Sequence, residues 1–422
     1  MSQSGSANTF AFDVRDIALA ESGKRRIEWA FQSMCVLQDI RKHLIKTQPF
    51  ASTRISACLP VTPETANLLV TLRDGGATIV LSGARGLCVD DGVAASLVKD
   101  YCLSVFAWSE VGRSQYASHL EATLEHRPHL LIDSSGDLFN RALEKNESEA
   151  SVGEIAGSIT DCRSVSKARR LRFPVISTYQ SAIREKFQAR YGAAQTVLDL
   201  VLESFHLLMA GQKVVVSGFG GAGRGIAARA KGLGASVIVT EIDPVTALEA
   251  VMEGYRVLSM AEASTLGDLF ITVSGNRSVI GREHFDKLRN GAILCNAGRS
   301  DVEIDLPTLR QLAGARRQIR EGVEEISMRD GRRIYLVAEG RSLQSNAGEA
   351  QPSSVLDLSF ATQALSAEYL IKQRSSLENK VHPVPREIDR QVARLKLETM
   401  GVKIDRMTVE QEQYLASWSE DT

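Results

Sequence analysis

Residues 213–244, KVVVSGFGGAGRGIAARAKGLGASVIVTEIDP, and residues 293–305, ILCNAGRSDVEID, frame a complete dinucleotide-binding half. Val214 to Val216 form a short apolar, β-branched run of the kind a buried parallel strand needs. Gly218, Gly220 and Gly223 follow in G-x-G-x-x-G spacing, and an alanine-rich helix is expected from about Ala222. The first glycine permits the tight turn, the second lets backbone approach a pyrophosphate, and the third lets helix pack on strand. The helix N-terminus offers its unpaired N–H groups to the anion. A second strand, Ser236–Thr240, ends at Glu241, whose carboxylate would accept hydrogen bonds from a ribose 2′-hydroxyl and repel a 2′-phosphate. The pattern therefore favours NAD over NADP. A glycine triplet alone is a weak signal, but strand, helix, second strand and acid in register make a strong one. The bland alternative is a glycine turn that holds no nucleotide.

A chain of 422 residues has a soft prior of two to three domains. Its 50 basic and 51 acidic residues nearly cancel, which removes any electrostatic case for nucleic acid or an anionic membrane as partner. No apolar run reaches the roughly 18 residues of a membrane span, and no signal-peptide core is evident. Cys35, Cys58, Cys88, Cys102, Cys162 and Cys295 are scattered without a C-x-x-C pair, so they read as reduced thiols, with no metal site. A cytoplasmic location is the default expectation, and the polar first ten residues are expected to be disordered.

Ahead of the nucleotide half, Arg54–Leu59, Thr78–Leu81, Ser104–Trp108 and Leu130–Ile132 read as strands, with helices at Pro63–Arg73 and Gly92–Tyr101 between them. This βαβ alternation implies a second parallel sheet with helices on both faces. The acidic stretch Glu144–Glu149 reads as a loop. A helix over Gln195–Met209, apolar at Val197, Leu200, Val201, Phe205 and Leu208, leads into the nucleotide half as a hinge element. Long helices return after Gly340, ending in the amphipathic run Arg386–Met400.

Several segments resemble the S-adenosyl-L-homocysteine hydrolases (adenosylhomocysteinases). They are RIEWAF at Arg26–Phe31, ISACLPVTPETANLLVTL at Ile55–Leu72, TEIDPVTALEAVMEGYRV at Thr240–Val257, ITVSGN at Ile271–Asn276, CNAGRSDVEID at Cys295–Asp305, DLSFATQALSAEYL at Asp357–Leu370 and PREIDRQVARLKLETMGVKID at Pro385–Asp405. The closing YLASWSEDT resembles the ends of short-tailed archaeal and thermophilic members. The resemblance implies an α/β fold of two doubly wound, Rossmann-like domains plus a C-terminal helical segment. Residues 1–188 and 352–390 would form the substrate domain, 189–351 the NAD domain, and 391–422 an oligomerisation segment. It also implies a homotetramer or homodimer with tightly held NAD. The cofactor positions it suggests are Gly218, Gly220, Gly221, Ala222, Gly223, Glu241, Thr246, Ser274, Gly275, Asn276, Ala297, Gly298, Arg299 and Gln344.

Members of that family hydrolyse S-adenosylhomocysteine through a redox cycle on the ribose, which needs several acid and base groups with tuned pKa values. Here the pattern departs. The C-L-H motif reads Cys58-Leu59-Pro60, and proline has nothing to donate, accept or titrate there. D-D-G-x-D reads Asp133-Ser134-Ser135-Gly136-Asp137. In the V-N-D-x-x-x-K-x-x-F-D-N segment the lysine is Arg184 and the second aspartate Gln188; arginine stays charged and glutamine is no base. N-x-G-H reads Asn296-Ala297-Gly298-Arg299, and G-H-P reads Ala350-Gln351-Pro352. Glu154, twenty residues before Pro174, is a candidate for the family glutamate, and a solvated loop acid is the alternative. Thr62 and Glu64 match the adenosine-contacting T-x-E pair, and they also read as a helix start with an acid in its first turn.

The substrate-site candidates are therefore Thr62, Glu64, Ser134, Glu154, Arg184, Gln188 and Gln351, with Glu154, Arg184 and Arg299 left as candidate catalytic groups. The expected function is an NAD-binding relative that has lost hydrolysis and acts on another small molecule, anionic or nucleoside-like. A pseudoenzyme or regulatory subunit, and a residual hydrolase with a rearranged site, are the rivals. Arg184 and Arg299 would bring permanent positive charge into the cleft, which demands a counter-ion, either a protein acid such as Glu154 or an anionic ligand.

Overall fold

Two eight-stranded sheets organise the chain, and their central strands are short runs rich in Val, Ile, Leu and Ala that are buried on both faces. The computed structural model describes residues 11–145, 155–162, 164–165, 171–298, 300–343 and 351–417. In chain order the first part runs β1 (Asp13–Val14), α1 (Ala20–Gln32), α2 (Cys35–Thr47), β2 (Arg54–Leu59), α3 (Pro63–Asp74), β3 (Thr78–Gly83) and α4 (Asp91–Lys99). It continues with β4 (Ser104–Ala107), α5 (Arg113–Glu125), β5 (Leu130–Asp133), α6 (Asp137–Glu144), β6 (Gly157–Thr160) and β7 (Val175–Ser177). A π-helix, Arg184–Ala193, then runs directly into α7, Ala194–Phe205.

The second part has β8 (Lys213–Ser217), α8 (Gly221–Gly232), β9 (Ser236–Thr240), α9 (Pro244–Met252), β10 (Arg256–Val257), α10 (Met260–Ala263), β11 (Leu269–Thr272), α11 (Arg282–Phe285), β12 (Ala292–Asn296) and α12 (Leu306–Leu312). An antiparallel extension follows: β13 (Ala313–Arg320), β14 (Val323–Met328) and β15 (Arg333–Val337). The chain finishes with α13 (Ser353–Gln373), β16 (Val381–Pro383), α14 (Arg386–Thr399) and α15 (Val409–Ser417).

The first sheet has the order β1-β4-β3-β2-β5-β6-β7-β16, and its pairings are parallel. Its order reverses between β2 and β5. The second has β10-β9-β8-β11-β12-β15 in parallel and reverses between β8 and β11. In such sheets the crevice outside the strand C-termini at the reversal is where ligands bind. Both predicted sites fall there.

The return of the C-terminal part to the first domain is explicit. Leu358, Leu365 and Leu370 of α13 and Val392 of α14 join the core of the first sheet, and β16 adds a parallel strand beside β7. Full burial of each such side chain is worth about 1.5–3 kcal/mol. Asp357, fully buried on α13, accepts from the N–H groups of Val36 (3.1 Å) and Leu37 (2.8 Å) in the first turn of α2, and Lys396 of α14 stands 3.4 Å away.

Some expectations shift. The hinge helix ends at Phe205 rather than Met209, because His206 takes a left-handed conformation (φ 48°) that closes it. Upstream it is continuous with the π-helix, so the 188/189 domain boundary falls inside a helix. The boundary at 390/391 likewise cuts α14, whose Ile388 and Val392 are both buried. Glu144 closes α6 instead of opening a loop, while the remainder of that acidic stretch and the first ten residues lie outside the described residues. Among the described residues, no helix is long and apolar enough to cross a membrane.

Candidate functional site

The glycine turn after β8 has the shape a dinucleotide requires. Gly218 has φ +101°, and a Cβ there would lie 2.8 Å from the Cα of Ser274, so the turns after β8 and β11 touch. A Cβ on Gly223 would overlap the carbonyl of Gly218. At Gly220 the same test meets nothing within 4 Å, which leaves open space where the backbone faces a ligand. Gly220 is the N-cap of α8 and brings no side-chain cap, so the first N–H groups of Gly221, Ala222 and Gly223 remain for an anion. Glu241, one residue beyond β9, accepts from the Phe219 N–H at 2.7 Å and from the N–H groups of Ile242 (2.7 Å) and Asp243 (3.2 Å). The acid therefore also holds the glycine turn in place. Thr246 sits in the first turn of α9, its N–H and hydroxyl both donating to the Asp243 carboxylate at 2.8 Å.

The opposite wall is organised by a residue that the sequence reading did not single out. Glu303 has no solvent exposure and accepts from Ser274 N–H (2.9 Å), Ser274 hydroxyl (3.0 Å) and Gly275 N–H (2.8 Å). The Ser274 hydroxyl in turn accepts from Asn276 N–H at 3.1 Å. Ala297 N–H donates to Thr272 carbonyl (2.7 Å), Gly298 N–H to the Asn296 side chain (2.8 Å), and the Ser342 hydroxyl to the Gly298 carbonyl. A Cβ at Gly298 would overlap the Glu303 carboxylate. Open space at Gly220, free N–H groups on α8 and an acid at the end of β9 fit a nicotinamide dinucleotide. Arg299 and Gln344 lie outside the described residues.

The substrate-site candidates converge on a second crevice, of about 130 Å³, at the C-terminal ends of β2, β5, β6 and β7. Leu59, Pro60, Leu87, Leu356 and Phe360 supply its apolar wall. Thr62, Ser134, Arg184, Gln188 and Gln351 line it, as the sequence reading expected. Thr62 also caps α3, accepting from Thr65 N–H at 3.3 Å, so the helix-start reading holds for a residue that also lines the cavity. Glu64 is buried behind the cavity wall. Its Oε1 accepts from the Ser353 hydroxyl at 2.7 Å, while Oε2 has no hydrogen-bond partner among the described residues. Gln188 accepts from the Ser359 hydroxyl (2.9 Å) and donates to the Gln351 side-chain carbonyl oxygen (3.3 Å), a neutral chain along the cavity wall.

The arginine is held firmly. Its Nη1 donates to the Tyr179 carbonyl at 3.2 Å, and its guanidinium carbon lies 4.9 Å from the centre of the Tyr179 ring. Among the described residues, the carboxylate within ion-pair distance of it was missed in the sequence. Asp161, directly after β6, lines the cavity, with Oδ2 3.9 Å from Arg184 Nη2. Only the course of β6 reveals this: the strand covers Gly157–Thr160 and delivers its C-terminal end to the crevice. Glu154 lies outside the described residues.

Beneath Ser134, the fully buried Asp133 accepts from the N–H groups of Ser135, Gly136 and Phe139 and from the Ser135 hydroxyl at 2.8–2.9 Å, yet burial pushes its pKa up to about 6. Burial likewise pushes the Cys58 thiol up to about 12, so it is an inert neighbour of Ser135 and Tyr116. The two sites are mechanically joined. Gly221 and Gly225 of α8 lie against the π-helix that carries Arg184 and Gln188: a Cβ on Gly221 would stand 3.0 Å from the Glu185 carbonyl, and one on Gly225 would overlap that of Arg190.

Known proteins agree with this geometry. Residues 189–350 match the NAD binding domain of S-adenosyl-L-homocysteine hydrolase, and residues 11–161 match the S-adenosyl-L-homocysteine hydrolase family. The chain is 46% identical over 416 residues to the adenosylhomocysteinase of Aquifex aeolicus, covering 97% of this chain and 100% of that one. It is 43% identical to the Gloeothece citriformis adenosylhomocysteinase (97% of each chain) and 42% to that of Sulfolobus acidocaldarius (97% of this chain, 100% of that one). A glycine turn that accepts NAD and relatives matched along almost their whole length lead to one conclusion: this chain belongs to the S-adenosyl-L-homocysteine hydrolase family.

Proposed function

We propose that this chain is an NAD-loaded member of the family that no longer hydrolyses S-adenosylhomocysteine and acts on a different, nucleoside-like small molecule. The observation that carries this is the composition of the cavity wall. Pro60, Ser134, Gln188 and Gln351 all line it, and none can exchange a proton near neutral pH. Among the described lining residues only Asp161, Arg184 and Cys88 are ionisable, and Arg184 stays protonated throughout. Removing one member of a coupled acid–base set already costs most of the rate, so a set replaced this broadly supports no efficient thioether hydrolysis.

Bound NAD supplies a hydride acceptor and donor. The chain's own residues would seat a ligand between the apolar wall of Leu59, Pro60 and Phe360 and the polar row of Thr62, Ser134 and Gln351, with Arg184 polarising an oxygen. The pseudoenzyme reading gains support from the Ser359–Gln188–Gln351 chain, which fixes neutral amides where proton transfer would be needed. Absorbance of bound NADH at saturating candidate ligands separates the two: redox cycling favours the enzyme, and silence with tight binding favours the binding protein. Measurable S-adenosylhomocysteine turnover, comparable with an active relative, refutes both.

Self-association belongs to the same proposal. Ile242 and the α9 residues Val245, Leu248, Val251 and Met252 form an exposed apolar stripe, and Met400, Ile404, Met407, Val409, Tyr414 and Leu415 are exposed along the C-terminal arm. We expect these surfaces to meet between copies, giving a dimer or tetramer by light scattering, and a monomer after truncation at Met400.

A further inference from the structure

Three turns meet on the cofactor side of the second sheet, and one carboxylate joins them. The Glu303 side chain accepts from Ser274 N–H, Ser274 hydroxyl and Gly275 N–H at 2.8–3.0 Å. Its backbone carbonyl accepts from Val279 N–H (2.7 Å) and Ile280 N–H (3.2 Å), so both ends of the loop after β11 hang on this residue. Ser274 lies against Gly218 of the glycine turn, and the carboxylate occupies the space that a Cβ on Gly298 would take. The turns after β8, β11 and β12 are thus held in register by a side chain with no solvent exposure. Among the described residues, its side-chain partners are neutral N–H and O–H groups, and no cation stands within ion-pair distance. Glu241 marks the adenosine side, just past the end of β9. A dinucleotide crosses the reversal between β8 and β11, so the turns after β11 and β12 face its nicotinamide half.

We propose that Glu303 is the positioning residue for the nicotinamide half of the dinucleotide, and that its buried negative charge favours the oxidised, cationic ring over the neutral reduced one. The positioning follows from the hydrogen bonds. Both carboxylate oxygens accept from the turn after β11, and the same group packs against Gly298 after β12, so retracting it loosens two walls of the site together. An amide cannot replace it fully, because its NH₂ would face an N–H group that needs an acceptor. The preference for one redox form follows from the charge. Oxidised nicotinamide carries one positive charge that the reduced ring lacks, and a carboxylate shielded from water stabilises the charged form selectively. Placement acts on both redox forms alike, whereas charge acts on their ratio, so the two effects are separable. This inference rests on NAD as the cofactor and holds whether or not the second crevice turns over a ligand.

The test strips the cofactor from full-length protein and titrates it with oxidised NAD by calorimetry and with NADH by fluorescence. Glu303→Asp keeps the charge but withdraws it from the turn, so both forms should bind about fivefold or more weakly, with their affinity ratio unchanged within about twofold. Glu303→Gln keeps the length and removes the charge, so the ratio of oxidised to reduced affinity should fall about fivefold or more. Circular dichroism confirms that each variant is folded. Should the glutamine variant fail to fold, Ser274→Ala reads the same electrostatics with the opposite sign. It removes one donor from the carboxylate and leaves the charge in place, so the ratio should rise by about twofold or more. A folded glutamine variant with the wild-type ratio, or a Ser274→Ala ratio that is unchanged or lower, overturns the role of the charge. An aspartate variant that binds both forms as tightly as wild type overturns the positioning.

Discussion

Replacing Glu241 separates two jobs that one carboxylate performs. It stands where the adenosine ribose of NAD is expected, and it also ties down Phe219, Ile242 and Asp243 through three N–H groups at 2.7, 2.7 and 3.2 Å. A 2′-phosphate carries about −1.5 to −2 charges, and at about 5 Å in an effective dielectric of about 20 each charge would meet roughly 3 kcal/mol of repulsion. Salt and partial exposure reduce this, leaving about 2–3 kcal/mol, or about a 30- to 150-fold shift in the ratio of NAD to NADP affinity. Glu241→Gln keeps an acceptor for the turn and removes the charge, so it should relax the preference by that factor with little change in melting temperature. Glu241→Ala should relax it as well and also lose about 1–3 kcal/mol of stability, because N–H groups of the turn lose their acceptor. Calorimetric titration of cofactor-free protein with NAD and NADP gives the ratio, and urea unfolding gives the stability. A glutamine variant that keeps the wild-type ratio within threefold refutes the electrostatic argument.

Synthesis and hydrolysis of S-adenosylhomocysteine should both sit at background in a coupled thiol assay, and Pro60→His alone should not restore them, because the missing groups at Ser134, Gln188 and Gln351 act jointly. Asp133 has a folded pKa raised from 3.8 to about 6, so its stability contribution is full below 3.8 and is lost as pH rises through about 6. The advantage of wild type over Asp133→Asn in urea unfolding should accordingly shrink by about 2 kcal/mol between pH 4 and pH 7, and a pH-independent difference would count against it. Asp357→Ala strands the N–H groups of Val36 and Leu37 together with Lys396, and should destabilise the first domain by about 2–5 kcal/mol in chemical denaturation. Gly225→Ala sets a Cβ against the Arg190 carbonyl and should cost about 1–3 kcal/mol, with weaker NAD binding read by fluorescence; unchanged affinity would show that the α8 contact does not couple the sites.

The nucleotide half was legible because its information is local. Strand, glycine turn, helix and acid follow one another within Lys213–Glu241, and a Cβ on Gly223 would overlap the carbonyl of Gly218 only five residues earlier. The same holds for β2, α3 and β3, where period and capping lie within a few residues: Thr62 predicted a helix start and caps α3. The antiparallel hairpin β13–β14 escaped, because β13, AGARRQIR, is polar and mostly exposed and carries no burial pattern to read.

What the sequence determined by itself was therefore the fold class and the cofactor turn. Those properties depend on residue identity and short-range spacing. The charge of the cavity was a tertiary matter. Asp161 and Arg184 stand 3.9 Å apart only because β6 and the π-helix bring them to the same sheet edge, and Glu303 serves the Ser274–Gly275 turn from 28 to 29 positions away in the chain. Spacing arithmetic offered Glu154, as the family acid or as a solvated loop acid, and it lies outside the described residues; Asp161 has no motif spacing to mark it. Which carboxylate faces a cation is set by where a strand ends, and strand ends are settled by pairing with β5 and β7.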